Sequence, residues 1–211
     1  MKKLESTLPN MAIVLTVISV LAGGILAFVN SMTMGPIAEI KAQQLSDGIK
    51  AVLNAEEVTV EEPKTLETGE IIYATDKGTA VQATSNGFGG TLKVLVGFDA
   101  EGNIQGYQVL EHAETPGLGA KAGEWFQATG KGNIIGMNPG QGELTVSKDG
   151  GNVDAITAST ITSRAFLLAV NKAYAAFKGG SVDAASGATT QAAKVEEAAP
   201  ADTTAVETTN E

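Results

Sequence analysis

The feature that most limits how this chain can fold is an uncharged apolar run from Met11 to Val29. It is about 19 residues long, close to the ~20 that a helix needs to cross a bilayer core. Lys2 and Lys3 precede it. A basic start and an apolar stretch also fit a cleaved signal peptide, but the apolar part of such a peptide usually has only about 7–15 residues. The run therefore reads as a retained transmembrane anchor, residues 10–30, behind a cytoplasmic N-terminus, residues 1–9. The two lysines favour the cytoplasm for that end. The rest of the chain then lies on the extracytoplasmic (periplasmic) side of a cell (inner) membrane. Gly23-Gly24 would let another helix approach closely. No ionisable residue lies between Met11 and Val29, so the run carries no ion path of its own.

Beyond the anchor the pattern stays helical and then changes. Ile37, Ile40, Gln44, Leu45, Ile49, Val52 and Leu53 recur at three- and four-residue steps, and Pro36 suits a first helical turn. Residues 31–55 thus read as a juxtamembrane helix leading into a soluble domain, 56–180. Glu56 to Glu70 is acidic, carries Pro63 and reads as a connection. Strand signals follow at Glu70–Ala74, Thr79–Thr84, Leu92–Phe98 and Ile104–Leu110. The last two form a hairpin around the turn Asp99-Ala100-Glu101-Gly102-Asn103. A further strand is expected at Glu143–Ser147. Ser163–Phe177 reads as an amphipathic helix with Phe166, Leu167, Val170, Tyr174 and Phe177 on one side, closed by Gly179-Gly180. The expected class is α+β: one transmembrane helix, then an antiparallel sheet with flanking helices. Residues 181–211 are rich in Ala, Thr, Glu and Asp without an aromatic residue, and read as a disordered acidic tail.

Composition removes several function classes. The formal charge is -10 over 211 residues. Such a chain lacks the basic face that nucleic acid requires, and offers no basic surface to anionic lipid. With no cysteine and His112 as the single histidine, it has no disulfide, no thiolate-held iron–sulfur cluster and no Cys-type zinc site. No metal ligand or catalytic residue is assigned. Redox chemistry would have to come from an organic cofactor.

The stretch Asp154-Ala155-Ile156-Thr157-Ala158-Ser159-Thr160-Ile161-Thr162-Ser163 opens the last helix. One reading is a plain N-cap, with Thr162 or Ser163 satisfying exposed backbone N–H groups. The other uses the same physics for a ligand. A helix start presents free N–H groups and partial positive charge, which favour a phosphate, and a hydroxyl beside them could be esterified. The residues alone leave both readings open.

The same stretch resembles the flavinylation motif of FMN-binding subunits in the Rnf and sodium-pumping quinone reductase complexes. That motif is an Asp, two residues, Ser or Thr, Gly or Ala, any residue, and the acceptor Thr, here Asp154, Thr157, Ala158 and Thr160. A second block is similar to that family too. Asn86-Gly87-Phe88-Gly89-Gly90 leads into the strand Leu92–Phe98, and Glu111-His112-Ala113-Glu114-Thr115-Pro116-Gly117-Leu118-Gly119 matches its His-x-Glu-Thr-Pro-Gly-Leu-Gly loop. The likeness covers about Met11 to Phe177 and looks closer to the G subunit of Rnf than to the C subunit of the quinone reductase. It implies FMN joined through its phosphate to Thr160 by a separate flavin transferase that recognises Asp154. Thr157, Ala158, Ser159, Ile161 and Thr162 would line the site. Glu114, Thr115, Leu118 and Gly119 would lie beside the flavin, with Leu118 on its ring. Lys121 would meet phosphate or a ring carbonyl, or be a solvated lysine. His112 fits a loop-fixing hydrogen bond, and Trp125 a core position.

Two departures stand out. The family usually has Gly where Ala158 stands, so the turn either avoids positive φ or is slightly strained. Asp183-Ala184-Ala185-Ser186-Gly187-Ala188-Thr189 also fits the acceptor pattern, but lacks a preceding strand and a following amphipathic helix. Thr160 is the preferred site and Thr189 a second, exposed acceptor. The resemblance implies an electron-transfer subunit with covalent FMN in a membrane complex that couples ferredoxin/NAD-type electron transfer to ion translocation. It is part of an oxidoreductase translocase, with no complete active site alone, and its partners are other Rnf-type membrane and iron–sulfur subunits. The alternatives are an FMN carrier for extracellular electron transfer and a non-enzymatic membrane-tethered scaffold.

Overall fold

The computed structural model describes residues 7–180. Contacts divide the chain into two units, one ending at Ser46 and the other starting at Asp47. The first unit is helical. α1 runs from Leu8 to Val52 without a break at Pro36, where the sequence suggests a helix start. The missing proline N–H removes one bond from the ladder, and a helix this long keeps its course around it. Among the described residues α1 is the one helix long and apolar enough to cross a membrane. Ile13, Leu15, Ile18, Leu21, Ile25 and Phe28 are all exposed on it. An apolar surface of this extent needs a non-aqueous neighbour. Two threonine hydroxyls within the helix bond to its own backbone, Thr16 to the Ala12 carbonyl at 2.8 Å and Thr33 to the Val29 carbonyl at 3.0 Å.

The second unit is an α+β domain. Five antiparallel strands follow one another in spatial order: β1 (Lys64–Thr65), β2 (Ile71–Thr75), β3 (Gly78–Asn86), β4 (Thr91–Phe98) and β5 (Ile104–Glu111). The acidic segment read as a plain connection thus supplies a two-residue edge strand. Short hairpins join β2, β3, β4 and β5, as period-2 runs between Gly- and Asp-rich turns require. Two short helical segments, Gly119–Lys121 and α2 (Ala122–Trp125), follow β5. The domain closes with α3 (Thr160–Phe177).

Alternation along the strands decides which face meets α3. Val81 and Ala83 of β3 and Leu92, Val94, Val96 and Phe98 of β4 join one core with Phe166, Leu167, Val170 and Ala173 of α3. The Phe166 ring stacks on Phe126 at 4.3 Å and packs edge-to-face with Tyr107 at 4.8 Å. Such pairs add about 0.5–1.5 kcal/mol beyond the area they bury. The other face of the sheet carries Gly97 and Gly106, and the last turn of α1 lies on it. A Cβ at Gly97 would collide with the Val52 carbonyl oxygen, so any side chain there would push Val52 away.

The strand expected at Glu143–Ser147 does not form. Only a parallel bridge between Val146 and Val153 is present. Asn171 of α3 accounts for the difference. Its side chain accepts from the Leu144 N–H at 3.1 Å and donates to the Leu144 carbonyl at 3.0 Å. One amide side chain thereby does the work of a neighbouring strand.

Candidate functional site

The site is built around the first turn of α3. A helix start leaves its leading N–H groups without intrahelical partners. The hydroxyls that would cap them are used elsewhere. Ser159, at the cap position, makes no cap bond. Ser163 accepts from the Ile156 N–H at 2.9 Å and donates to the Ser159 carbonyl at 3.0 Å. Thr162 donates to Glu114 Oε2 at 2.8 Å. The plain N-cap reading of this stretch is therefore not what the structure contains. The start of α3 keeps its positive end turned to whatever lies beyond Thr160.

The turn before the helix is closed by the Ser159 N–H on the Ile156 carbonyl at 3.0 Å. Ala158, its third residue, has φ of 61°. This is the left-handed region, where type II turns take Gly. Of the two courses open to an alanine here, the chain takes the strained one.

A cavity of about 330 Å³ opens against this turn. Phe88, Leu118 and Ile161 give it apolar walls, while Ala158, Ser159 and Thr160 form one side. Thr115, Gly119, Thr162 and Glu114 complete the lining. Glu114 is only 6% exposed. Its Oε1 accepts from the Gly89 N–H at 3.3 Å and its Oε2 from Thr162. One buried carboxylate thus joins the glycine turn before β4, its own loop and α3. His112 steadies the same loop, its Nδ1 accepting from the Glu114 N–H at 3.3 Å. Gly119 is required by this crowding: a Cβ there would lie 2.5 Å from Glu114 Oε2 and 2.8 Å from Thr162 Oγ1.

Other residues singled out from the sequence stand outside the cavity. Thr157 is exposed in the turn. Asp154 is exposed, accepts from the Ser147 hydroxyl at 2.9 Å, and offers its carbonyl to the Trp125 indole N–H at 2.8 Å. Trp125 packs against the core. Lys121 is exposed and is not part of the lining. Thr189 and Asp183 lie outside the described residues, as does the tail 181–211.

Sequence reasoning missed two contributors. Phe88 is 72% exposed at the cavity. Lys148 donates from Nζ to Thr160 Oγ1 at 3.3 Å. Its short helical turn, Ser147–Asp149, is pinned to α3 by a two-pronged pair, with Arg164 Nε and Nη2 each 2.7 Å from an Asp149 oxygen. The hydrogen bonds from Arg164 to Asp149 hold the guanidinium above its ordinary pKa. The available signal was position: Lys148 stands just before the Gly150-Gly151 turn that returns the chain to the acceptor stretch.

The parts suit FMN. The cavity falls in the ~300–1,000 Å³ range of small-molecule sites. Its apolar walls suit an aromatic ring system, and an uncapped helix start beside an ammonium suits a phosphate.

Residues 87–175 match the family of the FMN-binding domain. Over 187 residues the chain is 32% identical to the G subunit of the ion-translocating oxidoreductase complex of Yersinia pestis, covering 79% of this chain and 88% of the relative. It is 35% identical over 170 residues to the protein of the same name in Escherichia coli K12, covering 71% and 81%. Identity is 34% over 192 residues to the G subunit of the Na(+)-translocating ferredoxin:NAD(+) oxidoreductase complex of Acetobacterium woodii, covering 77% and 87%.

Proposed function

The chain belongs to the family of G subunits of ion-translocating oxidoreductase complexes, and from that membership we propose that it is an electron-transfer subunit carrying FMN on Thr160. The observation that carries the reading is the placement of Thr160. Its hydroxyl stands at the first residue of an uncapped helix, on the side of an apolar-walled cavity, with an ammonium at 3.3 Å. The linkage is a phosphoester made by a flavin transferase, with Asp154 in the segment that enzyme recognises. Bound FMN supplies one- and two-electron chemistry, so the subunit can relay single electrons between centres in neighbouring membrane and iron–sulfur subunits.

The residues divide the work. The free amides at the start of α3 would meet the phosphate. Leu118, Phe88 and Ile161 would pack on the ring. Glu114, through Thr162 and Gly89, keeps the three segments of the cavity in register. A phosphoester leaves the ring system chemically unaltered, so its potential is set by these surroundings. Residues 10–30 anchor the protein with residues 1–9 in the cytoplasm. Residues 31–55 lead to an FMN-binding domain, 56–180, on the periplasmic side, and 181–211 form a tail. With no ionisable residue in its apolar run, this subunit leaves ion translocation to its partners.

The test is direct. Protein made together with a flavin transferase is expected to stay fluorescent after denaturing electrophoresis, and Thr160→Ala to remove most of that signal. An unchanged signal in Thr160→Ala that disappears in Thr189→Ala moves the site to the tail. A colourless protein from the same co-expression supports a cofactor-free scaffold instead.

A further inference from the structure

We propose that Lys148 is the residue that binds the flavin phosphate, and that the Asp149–Arg164 pair positions it for this. The inference rests on the reading of Thr160 as the flavin attachment site. Lys148 Nζ reaches Thr160 Oγ1 at 3.3 Å, and a phosphate joined to Oγ1 places its own oxygens next to that atom. A diester phosphate carries one negative charge, which one ammonium balances.

The surroundings make a cation at this place consequential. The chain has a formal charge of -10, and Glu114, Asp149 and Asp154 all lie in the segments that form the site. A further anion among these carboxylates is unfavourable without a local positive charge. Asp149 is balanced by Arg164, whose side chain is 10% exposed against 18% for Asp149. Arg164 lies just after the first turn of α3. The helix that offers its amides to the phosphate therefore also fixes the turn that carries the ammonium. Ser147 holds the other end of that turn, with its N–H on the Val153 carbonyl at 2.8 Å. Lys121, by contrast, is exposed and is not among the residues that line the cavity.

The phosphate can be isolated by comparing two flavins. The full-length chain, made without transferase and held in detergent, is titrated with FMN and with riboflavin, which lacks the phosphate. The wild type should bind FMN more tightly than riboflavin. Lys148→Gln should weaken FMN about tenfold, as expected for loss of a charge-assisted hydrogen bond. It should leave riboflavin unchanged, and Lys148→Arg should keep most of the FMN affinity. Asp149→Asn should lower FMN affinity by less, again without affecting riboflavin. A merely structural role for Lys148 would weaken both flavins alike. That result overturns the proposal, as does equal binding of FMN and riboflavin by the wild type, or an unchanged FMN affinity in Lys148→Gln. The underlying reading is checked separately by mass mapping of wild-type protein made with transferase. Absence of an FMN adduct on the Thr160 peptide refutes that reading, whatever the titrations give.

Discussion

Ala158 shows how a single residue can keep a turn under tension. At φ of 61° its Cβ crowds the neighbouring backbone, at a cost of about 1–2 kcal/mol relative to the right-handed region. Glycine has no such cost there but loses more freedom on folding. Ala158→Gly should therefore raise stability by about 1 kcal/mol, seen as a higher denaturation midpoint at unchanged slope. An equal or lower midpoint would mean that the turn carries no strain. Legibility was uneven at this scale. Thr160, Glu114, Leu118 and Gly119 were named through the family resemblance, which rests on two short stretches of contiguous sequence, and all four line the cavity. Lys148 was not named, because its ammonium meets Thr160 across a gap of 12 residues closed by folding.

Among the elements, β5 and α2 are tied by one phenol. Tyr107 donates to the Ala122 carbonyl at 2.7 Å and accepts from the Phe126 N–H at 3.1 Å. Burial pushes its pKa well above the ordinary tyrosine value of 10.0. Because the folded value is raised, the contribution to stability is complete below pH 10.0 and is lost as the pH climbs from there toward the folded value. Wild-type stability should fall above that pH, and Tyr107→Phe should show a shallower fall. Tyr107→Phe should also cost about 1–2 kcal/mol at neutral pH, since the Phe126 N–H loses its acceptor. Identical alkaline slopes for the two proteins would exclude this role. α3 was readable as a helix from its period of about 3.6 residues, but its start was not. The sequence pattern begins at Ser163, whereas the structure begins at Thr160, because Ser163 and Thr162 turn their hydroxyls to Ile156 and Glu114. Glu143–Ser147 failed as a strand for a related reason, with its backbone bonded by a side chain 27 residues away.

At the scale of the whole molecule, the side of the membrane is the property most open to test. The chain contains no cysteine, so a single introduced thiol reports cleanly. Lys131 is exposed in a turn of the second unit. Lys131→Cys should react with a membrane-impermeant maleimide on intact cells with a permeable outer envelope. Lys3→Cys should react only after lysis. The reverse pattern would put the flavin domain in the cytoplasm, against the placement of Lys2 and Lys3.

What the sequence determined by itself is whatever depends on neighbours along the chain. The apolar run decides that there is a helix long and apolar enough to cross a membrane, because hydrophobic length is a one-dimensional property. Alternation and turn chemistry decide the hairpins, and the absence of cysteine rules out thiolate chemistry. The tertiary structure alone decided which hydroxyls at the start of α3 are occupied and by what. It also decided that Ala158 accepts a positive φ and that a lysine, not the one nearest the loop, reaches Thr160. Each of these depends on groups brought together from distant segments, and no local pattern records where a folded chain places them.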